Sequence, residues 1–284
     1  MKPRNLWIVW FASWLMAASV PVMATAVWTS GGTCNVKNTL YTNCVVSSST
    51  GFGSPSVTVA AISDTGASTG TDGNALASAW VGYYSNNTNN FGVSGGGTTP
   101  ESRSDPQTAM DNDGNREFML YSFASPVTLS KVTLGWSQTD SDITVLAYQG
   151  TAAPPALTST IPSAMTTYGG NTNGLVAKGW SVISNYFDVC GASGCGQSGG
   201  PASAAANIVT TVSSSYWLIG AYNNLGGKNL GGTGIDTTSD YVKILSVAGA
   251  VASAGGAGVP EPSSLVLAAI ALLGLTALRR RRVI

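Results

Sequence analysis

Histidine is absent from all 284 residues. That gap removes Ser-His-Asp and Cys-His nucleophilic catalysis, and with them the commonest ligand of zinc. Charge is nearly as scarce, with Asp, Glu, Lys and Arg together making 9% of the chain. The formal balance of zero hides an asymmetry, because Lys2, Arg4 and Arg279 to Arg282 crowd the two ends. Between those ends seven basic residues meet twelve acids, about −5. Phosphate backbones are gripped by clustered Lys and Arg, so this balance speaks against a nucleic-acid partner. What is present is Gly, Ser, Thr, Asn and Ala, with 44% apolar residues. That apolar share, arranged in regular short runs, separates the chain from disordered polar sequences that cannot offset ordering entropy.

The first residues, MKPRNLWIVWFASWLMAASVPVMATA, have a basic start, an apolar run from Leu6 to Val20, and small Ala24 and Ala26 at −3 and −1 of a cleavage point. This is the three-part secretory signal, so residues 1–26 are expected to direct export through the secretion translocon.

The other end raises a sharper question. Leu265 to Leu278 is apolar and ends on Arg279, Arg280, Arg281 and Arg282. At 14 residues the run is short of the ~20 that span a bilayer comfortably, and the arginines supply a positive-inside stop. Just before it stand Val259, Pro260, Glu261 and Pro262. The two prolines deny this segment a helix and present it as an extended peptide at the membrane face. Val-Pro-Glu-Pro, a short apolar helix and a terminal arginine cluster together resemble the PEP-CTERM sorting signal of Gram-negative bacteria. The resemblance implies processing of residues 259–284 by an exosortase, an integral-membrane cysteine protease. It further implies transient anchoring in the inner membrane and release to the cell surface or extracellular polysaccharide. Residues 248–258, AGAVASAGGAG, read as a flexible linker between this tail and the body, residues 27–247.

Cys34, Cys44, Cys190 and Cys195 are the four cysteines. In an exported chain their even number and short local spacings suggest the disulfides Cys34–Cys44 and Cys190–Cys195, each worth ~2–3 kcal/mol in the chain-entropy account. A zinc site is disfavoured, since paired C-x-x-C spacing is missing.

The body reads as all-β. Ser56–Ile62, Glu117–Phe123, Lys131–Trp136, Ile143–Tyr148, Trp180–Phe187, Tyr216–Ala221 and Tyr241–Val247 are short apolar runs bounded by turn residues. An antiparallel β-sandwich, jelly-roll among its variants, is the expected architecture. Ser85–Pro100, Ala153–Pro162 and Cys190–Ala206 read as loops. The "DN.G" turn from Asp111 and the GW…DSDI.VLAY block from Gly135 to Tyr148 resemble the exosortase-dependent surface protein family, a likeness covering about residues 105–150.

Two chemistries remain as candidates. Asp111, Asp113 and Asn115 alternate like the first oxygen ligands of a calcium loop, and Asp140 and Asp142 form a second alternating pair. Loops brought together at one end of a sandwich would offer Ca²⁺ hard oxygen ligands; equally, Asp and Asn close turns by bonding their own backbone. The same aspartates are the best candidates for a carboxylate pair that hydrolyses glycosides. Trp80, Tyr83 and Tyr84 beside the Asn-rich loop are the expected surface aromatics for sugar stacking, whereas Trp136 and Trp217 lie in strand patterns and belong to a core. The leading expectation is a non-enzymatic surface or matrix protein associated with exopolysaccharide. A carbohydrate-binding module with calcium-stabilised loops is the alternative, and a glycoside hydrolase the third.

Overall fold

A computed structural model of the chain describes residues 25–29, 32–48, 55–64, 76–84, 90–96, 105–113, 116–154, 175, 178–222, 229–231 and 238–251. Among them are fourteen strands: β1 (Thr25–Thr29), β2 (Thr39–Tyr41), β3 (Asn43–Val46), β4 (Val57–Asp64), β5 (Leu76–Tyr84), β6 (Asn90–Gly96), β7 (Met110–Asp111), β8 (Glu117–Thr139), β9 (Ile143–Tyr148), β10 (Trp180–Phe187), β11 (Ala204–Asn207), β12 (Ser214–Ala221), β13 (Asn229–Gly231) and β14 (Asp240–Val251). All pairs are antiparallel except β10 with β13. The protein is all-β, as its short apolar runs predict.

The strands join in one hydrogen-bonded network. Following β8, β4, β5, β6 and β14 in turn returns to β8 and closes a small barrel, while β12, β9, β10 and β13 continue outward from the same strand. The pairing therefore traces a barrel with an attached sheet, and does not separate into the two sheets of the expected sandwich.

The 23-residue β8 organises both parts. Sequence patterning predicts two strands here, split near Ala124–Ser130; the structure runs straight through. One edge of β8 pairs with β4 as far as Phe123, then with β14 from Val127 onward. Pro126 sits in the gap between these ladders, where its missing N–H removes no bond from either. Trp217 ties the changeover down from the other edge, its indole N–H donating to the carbonyls of Val127 (3.2 Å) and Ser214 (3.0 Å).

Alternation sorts the side chains of this sheet. Met119, Tyr121, Trp217, Ile219, Val145 and Ala147 face the main core, shared with Phe91, Val93, Val242 and Ile244 from the barrel and Trp28 from β1. Phe118, Leu146, Leu218 and Trp180 face the opposite side with Ile62, Leu76 and Leu175. Apolar residues on both faces explain why ITVLAY of β9, flanked by β12 and β10, is a continuous rather than alternating run.

Several loops and boundaries differ from expectation. β6 lies inside the Asn- and Gly-rich stretch read as a loop, and β11 begins inside Cys190–Ala206. β14 continues to Val251, four residues into the expected linker, because Ala248–Ala250 are paired on both sides, with β1 and β8, and Val251 pairs with β8. Neither Gly nor Ala has strong β preference; two flanking ladders override that. The cleavage point expected after Ala26 falls inside β1, where Ala26 is buried and aligned with Gly249. Residues 252–284, including the sorting tail and its apolar segment, lie outside the described residues, as do residues 1–24 of the expected leader, Ala24 among them.

A buried cation sits in the barrel wall. Lys243 of β14 is 1% exposed, with Nζ 4.7 Å from the centre of the Tyr84 ring and 4.5 Å from that of Trp136. It pairs with Asp105, which also accepts from the Thr108 hydroxyl. Burial lowers the Lys243 pKa, and the Asp105 carboxylate opposes that shift.

Candidate functional site

One end of the molecule gathers most of its described acids. The turn between β8 and β9 carries Asp140, Ser141 and Asp142, and the loop after β10 brings Asp188 to them. Carboxylate oxygens of Asp140, Asp142 and Asp188 all lie within 4.8 Å of one another, with Asp142 buried, Asp140 half-buried and Asp188 exposed. Asp142 is the hub. Its Oδ1 accepts from the Asp188 amide (2.7 Å), its own amide donates to Asp240 Oδ1 (2.8 Å), and its carbonyl accepts from the Tyr222 amide (3.0 Å).

Asp188 is held by a disulfide loop. The structure contains the bonds Cys34–Cys44 and Cys190–Cys195, with Cα separations of 5.3 and 5.1 Å. The second closes a short loop whose Cys190 and Cys195 amides donate to the hydroxyls of Ser141 (2.8 Å) and Ser137 (3.0 Å). The loop is thus pinned to the end of β8, and Asp188, at φ 48°, turns into the cluster. The Cys34–Cys44 bond joins the chain ahead of β2 to β3, away from these acids in sequence and pairing.

A second turn meets the first through Asn112. Its side-chain amide donates to Asp240 Oδ2 (2.6 Å) and to the Tyr222 carbonyl (3.0 Å), and its Oδ1 accepts from the Asp240 amide (2.8 Å). Asp240 is therefore buried among two other carboxylates with amide donors on both of its oxygens. Burial, reinforced by the charges of Asp142 and Asp140, pushes its pKa up to about 8, although the amide bonds pull the other way. Tyr222 is raised by burial and by Asp142 and Asp240. Tyr241 is raised by burial and by Asp113, whose Oδ2 accepts its hydroxyl (2.6 Å).

Outside the described residues, the other candidate is the tail. Residues 258–282 match the family model of the PEP-CTERM protein-sorting motif. The chain ends in a PEP-CTERM signal. No curated protein and no solved structure matches the chain. The PEP-CTERM motif implies export, processing by an exosortase at the membrane, and delivery to the surface. Val259, Pro260, Glu261, Pro262 and Arg279 to Arg282 all fall in or against the matched segment.

Upstream of the PEP-CTERM tail, the expected cation ligands divide. Asp140 and Asp142 are in the triad; Asp188 was not foreseen from sequence, where only its place just ahead of the Cys190–Cys195 pair marks it. Asp111 and Asp113 do not join the triad. Asp111 Oδ1 accepts from the Asp113 amide (3.0 Å), the turn-closing role of a short acid, and the Asp111 amide donates to Glu117 (3.3 Å). Asn115 lies outside the described residues. The aromatic expectation is corrected as well: Tyr83 and Tyr84 are buried and Trp80 half-buried, because β5 is flanked by β4 and β6 within the barrel. Trp136 and Trp217 are core residues, as their strand patterns require. Chemically, the Asp140–Asp142–Asp188 oxygens suit a hard divalent cation such as Ca²⁺.

Proposed function

We propose that this chain is a non-enzymatic surface protein that an exosortase releases into the exopolysaccharide or extracellular matrix of a Gram-negative cell. The observation that carries this reading is the PEP-CTERM motif at residues 258–282, following a secretory leader. Two further points favour a binding or structural role over catalysis. The chain has no histidine, and the carboxylates of Asp142 and Asp240 accept bonds from backbone amides, which commits them to holding loops together. The test is delivery. Replacing Pro260 and Glu261 with Ala should leave most of the protein in the inner-membrane fraction and reduce the surface pool at least tenfold. Surface levels equal to the parent would overturn the sorting reading.

A second reading, calcium-stabilised loops, is favoured by the Asp140–Asp142–Asp188 triad. Three carboxylates this close repel one another, and a cation that binds only the folded state raises stability with the logarithm of its concentration. The full chain in detergent should melt several degrees higher in millimolar Ca²⁺ than in EDTA, and Asp188→Asn should abolish most of that difference. Superimposable melting curves in the two buffers would leave these acids as loop ties alone.

A further inference from the structure

Away from the acids, a cleft of about 690 Å³ opens beside the start of β12. Its walls come from Pro126, from Tyr148 to Ala153 and from Thr211 to Tyr216. That volume is within the range of small-ligand sites. Its chemistry is selective. Apart from two tyrosines, none of the described lining residues is ionisable, so none of them would neutralise a phosphate, a carboxylate or an ammonium group. The polar groups are instead neutral donors and acceptors: Gln149, Thr151, Thr211, Ser213 and Ser215, most of them exposed.

The aromatic part is built. Tyr148 and Tyr216 meet edge to face with centroids 6.1 Å apart, and Tyr148 rests on Trp180 at 5.4 Å. The Tyr148 ring also lies so close to the backbone at Gly150 and Gly179 that a Cβ at either would overlap it; Gly179 has φ +93° besides. The Ser214 hydroxyl donates to the Tyr148 carbonyl (2.6 Å), fixing the end of β9 to the start of β12. Both tyrosines are half-buried, with one part packed and another open.

We infer that this cleft binds a neutral polysaccharide segment, with Tyr148 and Tyr216 packing against sugar rings and the surrounding hydroxyl and amide groups bonding sugar hydroxyls. An uncharged ligand rich in hydroxyls, with apolar C–H faces, is what such a surface can satisfy on every side. Tyrosines already held by packing have little side-chain freedom left to lose on binding. The inference deepens the reading of a matrix-associated surface protein by giving it a site and a ligand class.

The experiment presents the full chain, purified in detergent, to immobilised dextran, β-glucan, galactomannan and xylan, with anionic alginate as the charged comparison. Binding to at least one neutral polymer is expected, and alginate should bind at least tenfold more weakly. The exposed-rim pair Gln149→Ala with Thr151→Ala should weaken binding roughly tenfold while the melting temperature stays near the parent's; Tyr216→Ala should weaken it as much and lower the melting temperature too, because that ring also packs on the second core cluster. Gly150→Ala, by displacing the Tyr148 ring from Trp180 and Tyr216, should weaken binding likewise, at some cost in melting temperature. The inference is overturned if no neutral polymer binds, if alginate binds as well, or if the rim variants bind like the parent. Surface delivery is scored separately, so a failed glycan screen with normal delivery rejects the cleft and leaves the sorting route standing.

Discussion

Raising the pH from about 5 to about 8 in EDTA should cost the folded protein ~2–4 kcal/mol. The group responsible is Asp240, whose pKa in the fold is pushed up to about 8 by burial and by the neighbouring Asp142 and Asp140. Between the ordinary carboxylate value and about 8, the folded chain keeps a proton that the unfolded chain has released. Stability is therefore highest toward the acid side of that window, falls as pH rises through it, and levels off above it. Lys243, lowered by burial, contributes with the opposite sign between its folded value and the usual lysine value. Tyr121, Tyr186, Tyr222 and Tyr241, all raised, act only in strong alkali. Asp240→Asn isolates the carboxylate: its urea-derived stability should lose the slope between about pH 5 and 8, whatever its absolute level. An unchanged slope in the variant would acquit Asp240. Calcium held by the neighbouring triad would favour the ionised form and flatten the parent's slope, so the two experiments check each other.

Trp217→Ala should be the most damaging single truncation, at ~3–5 kcal/mol. The side chain is fully buried, and its indole bridges the carbonyls of Val127 and Ser214. Removing it opens a cavity in the main core and leaves the point where β8 changes partners unbraced. In a domain whose whole stability is ~5–15 kcal/mol, that is a large fraction. Trp217→Phe keeps most of the volume but loses both hydrogen bonds, and should cost ~1–2 kcal/mol. Urea midpoints at constant slope measure both; a loss under ~1 kcal/mol for the alanine variant would show that β8 is fixed by its ladders alone. Because Pro126 and Ser213 to Tyr216 line the cleft, the alanine variant should also lose glycan binding.

Much of this protein is written locally. The leader, the PEP-CTERM tail and the short disulfide loops depend on neighbouring residues, and a one-dimensional pattern can carry them. So can β9, β10 and the outer half of β14, whose apolar runs are long enough to outweigh their turn-rich surroundings. Partner-dependent features were beyond such a reading. β6 and Ala248–Ala250 of β14 are Gly-, Ser-, Ala- and Asn-rich, and become strands because β6 pairs along β5 and meets β14 at Phe91, and Ala248–Ala250 have a ladder on each side. The continuity of β8 through Pro126 depends on β4 ending where β14 begins. Asp188, Asp240 and Asn112 lie far apart in sequence from Asp142, and only the meeting of β7, β14 and the disulfide loop at one end puts their polar atoms within bonding distance. The aromatics differ for the same reason: loop neighbours make Tyr83 and Tyr84 look exposed, whereas the barrel buries them, and Tyr148 and Tyr216 of the attached sheet line an open cleft. Sequence alone determined that the chain carries a PEP-CTERM sorting motif and that it is made of strands. Which acids face each other, and which rings meet solvent, were decided by the pairing of the attached sheet and its disulfide loop with β8, because burial is a property of the neighbours a strand acquires.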